Sequence, residues 1–146
     1  MHNWFQCKIK YERNGEDGAV VKVSEAYLID ALSFTEAEER INEEMKPYIS
    51  GEFLVSDIKR ARISELFENE NGDKWYRCKV NFITLDEEKG VEKRTASTMY
   101  SQATTLKEAL EVLETGMKGT LADYEVATIT ETNIMDVFKY EAKSVD

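Results

Sequence analysis

Hydrophobic and polar positions alternate along residues 4–11. Phe5, Cys7, Ile9 and Tyr11 fall on one side, and Trp4, Gln6, Lys8 and Lys10 on the other. A period of two is the signature of a half-buried strand. The polar run Asn14-Gly15-Glu16-Asp17-Gly18 suits a hairpin connection, and residues 19–30 resume as a second strand rich in Val and Ile. At Ser33 the period changes. Ser33 and Glu36 make a capping box, each side chain satisfying a backbone donor at a helix start. Phe34, Ala37, Ile41 and Met45 then form one apolar stripe, with Glu36, Glu38, Glu39, Glu43 and Glu44 on the wet side or in the first turn. Pro47 stops the helix, because proline disfavours helical geometry in the residue before it. Gly51 opens a long strand-like segment, residues 53–67, whose alternation slips near Asp57 and Ile58, as at a bulge or bend.

After the polar connector 68–74 the pattern restarts. Trp4-Phe5-Gln6-Cys7-Lys8-Ile9-Lys10-Tyr11 returns as Trp75-Tyr76-Arg77-Cys78-Lys79-Val80-Asn81-Phe82, 71 residues on. A strand over 75–85, a turn at Asp86-Glu87-Glu88-Lys89-Gly90 and a strand over 91–102 follow. Thr105 and Glu108 repeat the capping box, and Leu106, Ala109, Leu113 and Met117 repeat the stripe with Leu110 added. Gly116 and Gly119 stand where Pro47 ended the first helix. Residues 124–138 repeat the long strand segment, with Tyr124, Val126, Ile129, Ile134 and Phe138 for Phe53, Val55, Ile58, Ile63 and Phe67. The expected fold is α+β: an internal duplication of a β-β-α-β unit, antiparallel sheets with one helix per repeat, related by a pseudo-twofold that covers each sheet's open edge and apolar face. The expected organisation is one domain over 1–146, with repeats at 3–68 and 74–140 and a flexible tail at 141–146.

Length is compatible with this: a chain of 146 residues buries roughly 70% of its unfolded surface. No run approaches the roughly 18 apolar residues of a membrane span, and the start Met-His-Asn-Trp-Phe is not a signal segment, which predicts a cytoplasmic protein without membrane contact. Cys7 and Cys78 lie on the apolar side of matched strands and read as small buried hydrophobes, not a disulfide, redox or metal pair. The single histidine, His2, sits at the chain start, which removes most histidine-based catalysis. A net charge of −10 disfavours nucleic acid, whose phosphates would be repelled, and leaves open a polyanion mimic that fills a basic groove.

The opening Trp-Phe-x-Cys-Lys, the run Tyr27-Leu28-Ile29-Asp30-Ala31-Leu32-Ser33-Phe34-Thr35-Glu36-Ala37 and the closing Ile134-Met135-Asp136-Val137-Phe138 resemble a family of short acidic proteins from Bacteroides-type bacteria and their phages and mobile elements. The resemblance covers nearly the whole chain. That family is classed as a domain of unknown function, so the resemblance implies a bacterial or phage origin and a compact fold but assigns no residue a role.

No phosphate-binding glycine loop, Cys-x-x-Cys, His-Glu-x-x-His or Gly-x-Ser-x-Gly occurs, and Asp86-Glu87-Glu88 is too short for a calcium loop. The sequence therefore predicts no catalytic residue, no metal and no cofactor; a hydrolase built on paired carboxylates is the weakest of the readings. One constellation is unexpected in an acidic chain. Trp4, Lys8 and Lys10, matched by Trp75, Arg77 and Lys79, put tryptophan beside cations on the face opposite the cysteines, and Arg60 and Arg62 add to the densest basic patch. Trp stacks on flat rings and Lys or Arg neutralises phosphate, so these residues predict a non-enzymatic module that captures a small anionic, nucleotide-like ligand. The plainer alternative is a packed Trp with lysine stems lying over it. The second functional reading is an acidic protein–protein inhibitor or adaptor working through Glu38, Glu39 and Glu43. Either suits a monomer or a homodimer.

Overall fold

The computed structural model describes residues 2–140; the tail expected at 141–146 lies outside the described residues. Ten elements follow in chain order: β1 (Trp4–Asn14), β2 (Val20–Asp30), α1 (Phe34–Met45), β3 (Phe53–Ala61), β4 (Glu65–Phe67), β5 (Lys74–Asp86), β6 (Val91–Ala103), α2 (Leu106–Gly116), β7 (Asp123–Glu131) and β8 (Ile134–Phe138). The class is α+β, with two four-stranded sheets of order β3-β1-β2-β8 and β4-β6-β5-β7.

Local chemistry sets the element ends. Ser33 and Thr105 are extended N-caps whose side chains accept from Glu36 N (3.1 Å) and Glu108 N (3.1 Å). Each such cap contributes about 1 kcal/mol. Alpha-helix α1 ends at Met45, two residues before Pro47, and Gly51 turns the chain into β3 with φ at +98°. The expected slip in the third strand is a bulge at Ser56: Lys8 faces Asp57 while Ile9 faces Val55. The same irregularity recurs at Ala127, where Lys79 faces Thr128 and Val80 faces Val126.

Two expectations need correction. Residues 53–67 and 124–138 are not single strands; each breaks into two that belong to different sheets. Around the first break Ser64 donates its N–H and its hydroxyl to the Thr98 carbonyl (2.8 and 3.1 Å); at the second Thr132 does the same to Trp75 (3.0 and 2.7 Å). The sheets are also mixed and not purely antiparallel: β8 runs parallel to β2, and β4 parallel to β6. A strand arriving after a crossover is free to pair in parallel, whereas a tight hairpin forces the antiparallel sense. The compact units therefore cut across chain order: β1, β2, α1, β3 and β8 form the first, and β4, β5, β6, α2 and β7 the second.

In the first unit Phe5, Cys7, Ile9, Tyr27 and Ile29 pack with Ala37, Ile41, Met45 and Ile49 in one core. In the second Cys78, Val80 and Met99 pack with Leu113 and Met117, beside a smaller cluster of Tyr76, Ala103 and Ala109. Both cysteines are buried free thiols; burial, with Asp57 adding, pushes Cys7 up to about 12, and burial raises Cys78. Phe34, expected within the α1 stripe, is half exposed and meets Phe5 edge-on at 4.9 Å. Gly116 has a packing reason beyond helix termination: a Cβ there would lie 2.4 Å from the Phe67 ring of β4.

Candidate functional site

Within the first unit the residues expected to capture an anion divide between the two sides of the sheet. Trp4 and Trp75 are only 4% and 3% exposed, so neither ring offers an open face for stacking. Both lie on the sheet side away from the helices, opposite Asp30 and Gln102 respectively. Lys8, Lys10 and Lys79 on that side are exposed. Arg77 hydrogen-bonds the Tyr100 phenol; burial raises that phenol and Arg77 pulls it back down. Arg60 pairs with Phe5 and so belongs to the α1 side, its guanidinium 5.3 Å from the Phe5 ring and 6.0 Å from Phe34. Arg62 is exposed beyond the end of β3.

Two arrangements in the first unit lie outside these residues. The first is a clasp at the end of β2. Asp30 is buried, and its carboxylate accepts from Asn3 N (2.9 Å) and Tyr140 N (3.4 Å) and pairs with His2 Nδ1. Arg40 of α1 donates to the Asp30 carbonyl and to the Lys139 carbonyl (3.2 Å), and its guanidinium lies 5.4 Å from the Tyr140 ring centre. Residues 2–3 and 139–140 are thus tied to the β2–α1 junction. His2 also stacks on Trp4 at 5.4 Å.

The second is a cleft at the far end of α1. Strand parity puts Tyr11 on the α1 side of β1; Tyr27 on β2 and Asp136 on β8 are direct register partners. Pro47 ends the helix, and the turn that follows, held by Tyr48 N and Ile49 N on the Met45 carbonyl (3.0 Å each), swings Tyr48 out over the gap. The result is a cavity of about 270 Å³ lined by Tyr11, Glu25, Tyr27, Tyr48, Asp136 and Phe138 with Met45, Ile49 and Met135. A larger depression of about 590 Å³ adjoins it across Tyr11, Tyr48 and Ile49. A hydrogen bond to Glu25 raises the Tyr11 phenol; burial, then Glu25, push Tyr27 up to about 12. The phenols therefore stay neutral, and the formal charge at the cleft is that of Glu25 and Asp136. Tyr27 stacks on Phe138 at 5.8 Å, which fixes the floor. Neutral aromatic faces next to carboxylates attract cations.

The second unit reproduces the scaffold and one carboxylate, Glu65 standing for Asp136, but not the tyrosines. Its register places Phe82, Ser97 and Met99 at the positions of Tyr11, Glu25 and Tyr27. Thr120, whose N–H bonds Met117 O at 3.0 Å as Tyr48 bonds Met45, replaces Tyr48. No group of three or more His, Cys, Asp or Glu among the described residues has the geometry to hold a metal ion. No helix among them is long and apolar enough to cross a membrane.

A family model described as a domain of unknown function, DUF4494, matches residues 3–140. The chain belongs to DUF4494. No curated protein and no solved structure matches it. Membership in DUF4494 assigns no activity, so the functional argument rests on the cleft and the surfaces around it.

Proposed function

We propose that the protein is a non-enzymatic binding module for a basic protein partner, and that the tyrosine–carboxylate cleft of the first unit takes an alkylammonium group of that partner. The carrying observation is that Tyr11, Tyr27 and Tyr48 converge with Glu25 and Asp136 in one unit, whereas in the other Phe82, Met99, Thr120 and Ser97 replace the three tyrosines and Glu25, and only the second carboxylate is kept, as Glu65. The second unit fills the equivalent positions with Phe82, Met99, Thr120 and Ser97, so this scaffold does not require three tyrosines and a glutamate for packing. A net charge of −10 favours encounter with a basic partner. Exposed Glu38, Glu39 and Glu43 on α1 add to the same field.

Capture of a small anion, by Lys8 and Lys10 in the first unit or by Lys79 in the second, remains the second reading; their exposure favours it, but the buried Trp4 and Trp75 rings leave no aromatic platform that would select a nucleotide. Calorimetry separates the two. A lysine-rich peptide should bind at low salt and weaken as salt rises, and Glu25→Gln and Tyr48→Ala should each reduce its affinity by about tenfold, the equivalent of 1.4 kcal/mol. ATP or a cyclic dinucleotide binding while the peptide stays silent would transfer the function to the anion reading. We also infer that the chain arose by duplication of a β-β-α-β-β unit. The equivalent strand orders, the paired bulges at Ser56 and Ala127 and the paired N-caps support that origin.

A further inference from the structure

In the first unit the space between β8 and α1 is occupied from within. Arg40 reaches from α1, donates to two backbone carbonyls and lies over the Tyr140 ring. The helix registers put Val112 of α2 at the position of Arg40, as Leu113 matches Ile41. Asn69 follows β4 by two residues as Tyr140 follows β8 by two. Its N–H bonds the Gln102 side chain at 3.0 Å, as Tyr140 N bonds Asp30. Both groups that filled the first unit's space, the guanidinium and the ring over it, are therefore exchanged for smaller ones. A groove of about 470 Å³ stands between β4 and α2 instead, with Leu66, Phe67 and Val112 on its floor and Glu108 and Glu111 at its wall.

We propose that this groove seats an arginine side chain of a basic partner protein. The apolar floor suits the three methylenes of an arginine stem, and the carboxylates suit a guanidinium. Glu108 is fixed for this, its Oε1 accepting from Asn69 Nδ2 (2.9 Å) and Thr104 N (3.2 Å). Glu111 is exposed one turn further on. Arginine is preferred to lysine because the matching space in the first unit is filled by a flat fork that spans two acceptors and a ring. A compact, strongly hydrated ammonium does not reproduce that arrangement. The seat belongs to the second unit and does not depend on the tyrosine cleft, though both serve a basic partner.

The test is a backbone-amide NMR titration of the full chain with two peptide amides, one alternating alanine with arginine and the other alanine with lysine. The arginine peptide should shift the amides of Leu66, Phe67 and Val112, and the lysine peptide should leave them in place. Val112→Arg, which supplies the guanidinium from inside as Arg40 does, should abolish those shifts and raise the melting temperature. Glu111→Gln, on an exposed helix face and safe for folding, should weaken them by about tenfold, the equivalent of 1.4 kcal/mol. Equal response to both peptides, or undiminished shifts in Glu111→Gln, would overturn the proposal. Shifts confined to Tyr48 and Ile49 would leave the cleft standing and remove this seat; shifts confined to the groove would do the reverse.

Discussion

Replacing Arg40 tests the clasp that ties both ends of the described chain to the β2–α1 junction. Arg40→Ala deletes two hydrogen bonds, to the Asp30 and Lys139 carbonyls, and one stacking contact 5.4 Å from the Tyr140 ring centre. A hydrogen bond from a charged donor is worth about 1.5–3 kcal/mol; with Arg40 only half-buried, the lower end applies, giving about 3 kcal/mol for the two. The ring contact adds about 0.5–1 kcal/mol. Against this, truncation returns about 2 kcal/mol of side-chain rotamer freedom. The net loss is about 2 kcal/mol, which for a chain of 146 residues lowers the melting temperature by about 6–8 °C. Arg40→Lys keeps the charge and most of the stem but cannot span two carbonyls, so it should recover less than half of the loss.

Urea unfolding supplies the stability, and native-state amide exchange supplies the location. The Tyr140 amide, which donates to Asp30, should lose protection in Arg40→Ala well before the amides of β5 do. A loss under about 0.5 kcal/mol, or Arg40→Lys indistinguishable from the parent, would show that the forked geometry contributes nothing, and would weaken the argument that an arginine fits the matching groove of the second unit.

Other substitutions probe close approach and titration. Gly72→Ala places a Cβ 2.5 Å from the Ala103 backbone, which cannot yield, and should cost about 1–3 kcal/mol by urea unfolding. Gly116→Ala collides instead with the Phe67 ring at 2.4 Å, and combining it with Phe67→Leu should recover part of the loss, a coupling read from the double-mutant cycle. Raised phenol and thiol values predict alkaline sensitivity. Tyr27 is held at about 12 against an ordinary 10, and Cys7 at about 12 against 9, so the stability they carry is complete below those ordinary values and is lost as pH climbs towards 12. Tyr27→Phe should flatten the decline of stability between pH 10 and 12, and an unchanged slope in that variant would count against the assignment. Native Cys7 and Cys78 should react with a disulfide reagent only as fast as the chain opens, and immediate labelling would contradict their burial.

What the sequence disclosed was what depends on near neighbours. The caps at Ser33 and Thr105, the stop at Pro47, the hairpin alternation and the slip near Asp57 and Ile58 follow from residues within a few positions of one another. The crossing of β4 and β8 between sheets does not. Residues 53–67 and 124–138 alternate without a glycine or proline at the break, and only a distant partner decides where the second half of each goes. The burial of the tryptophans was misleading for a different reason. Lys8 and Lys10 share the parity of Trp4, so alternation alone places all three on the polar side. The sequence of β2 points the other way: Ala26-Tyr27-Leu28-Ile29 is apolar without alternation, and in the structure residues 26–30 are all buried. An unbroken buried run means both faces of a strand are covered, so the side away from α1 cannot be an open platform along its whole length. Asp30 sits inside that run, which is also why His2, dismissed as a chain end, has a buried partner.

The two proposed sites were least legible because they rest on differences between two otherwise matching scaffolds. Tyr11 against Phe82 and Arg40 against Val112 look, in the sequence, like ordinary drift between repeats. They acquire meaning only once the strand registers put Glu25 and Asp136 beside the first pair and Tyr140 against Asn69 beside the second. Each unit then serves as a control for the other. A position that both keep apolar answers to packing, and a position where one unit gathers charge and aromatic rings and the other lacks them answers to something outside the chain. By that criterion the tyrosine cleft is a place where a partner would be read; the β4–α2 groove is a second for the converse reason, that it lacks the filler the first unit supplies from within, and the cysteines, matched and equally buried, are not.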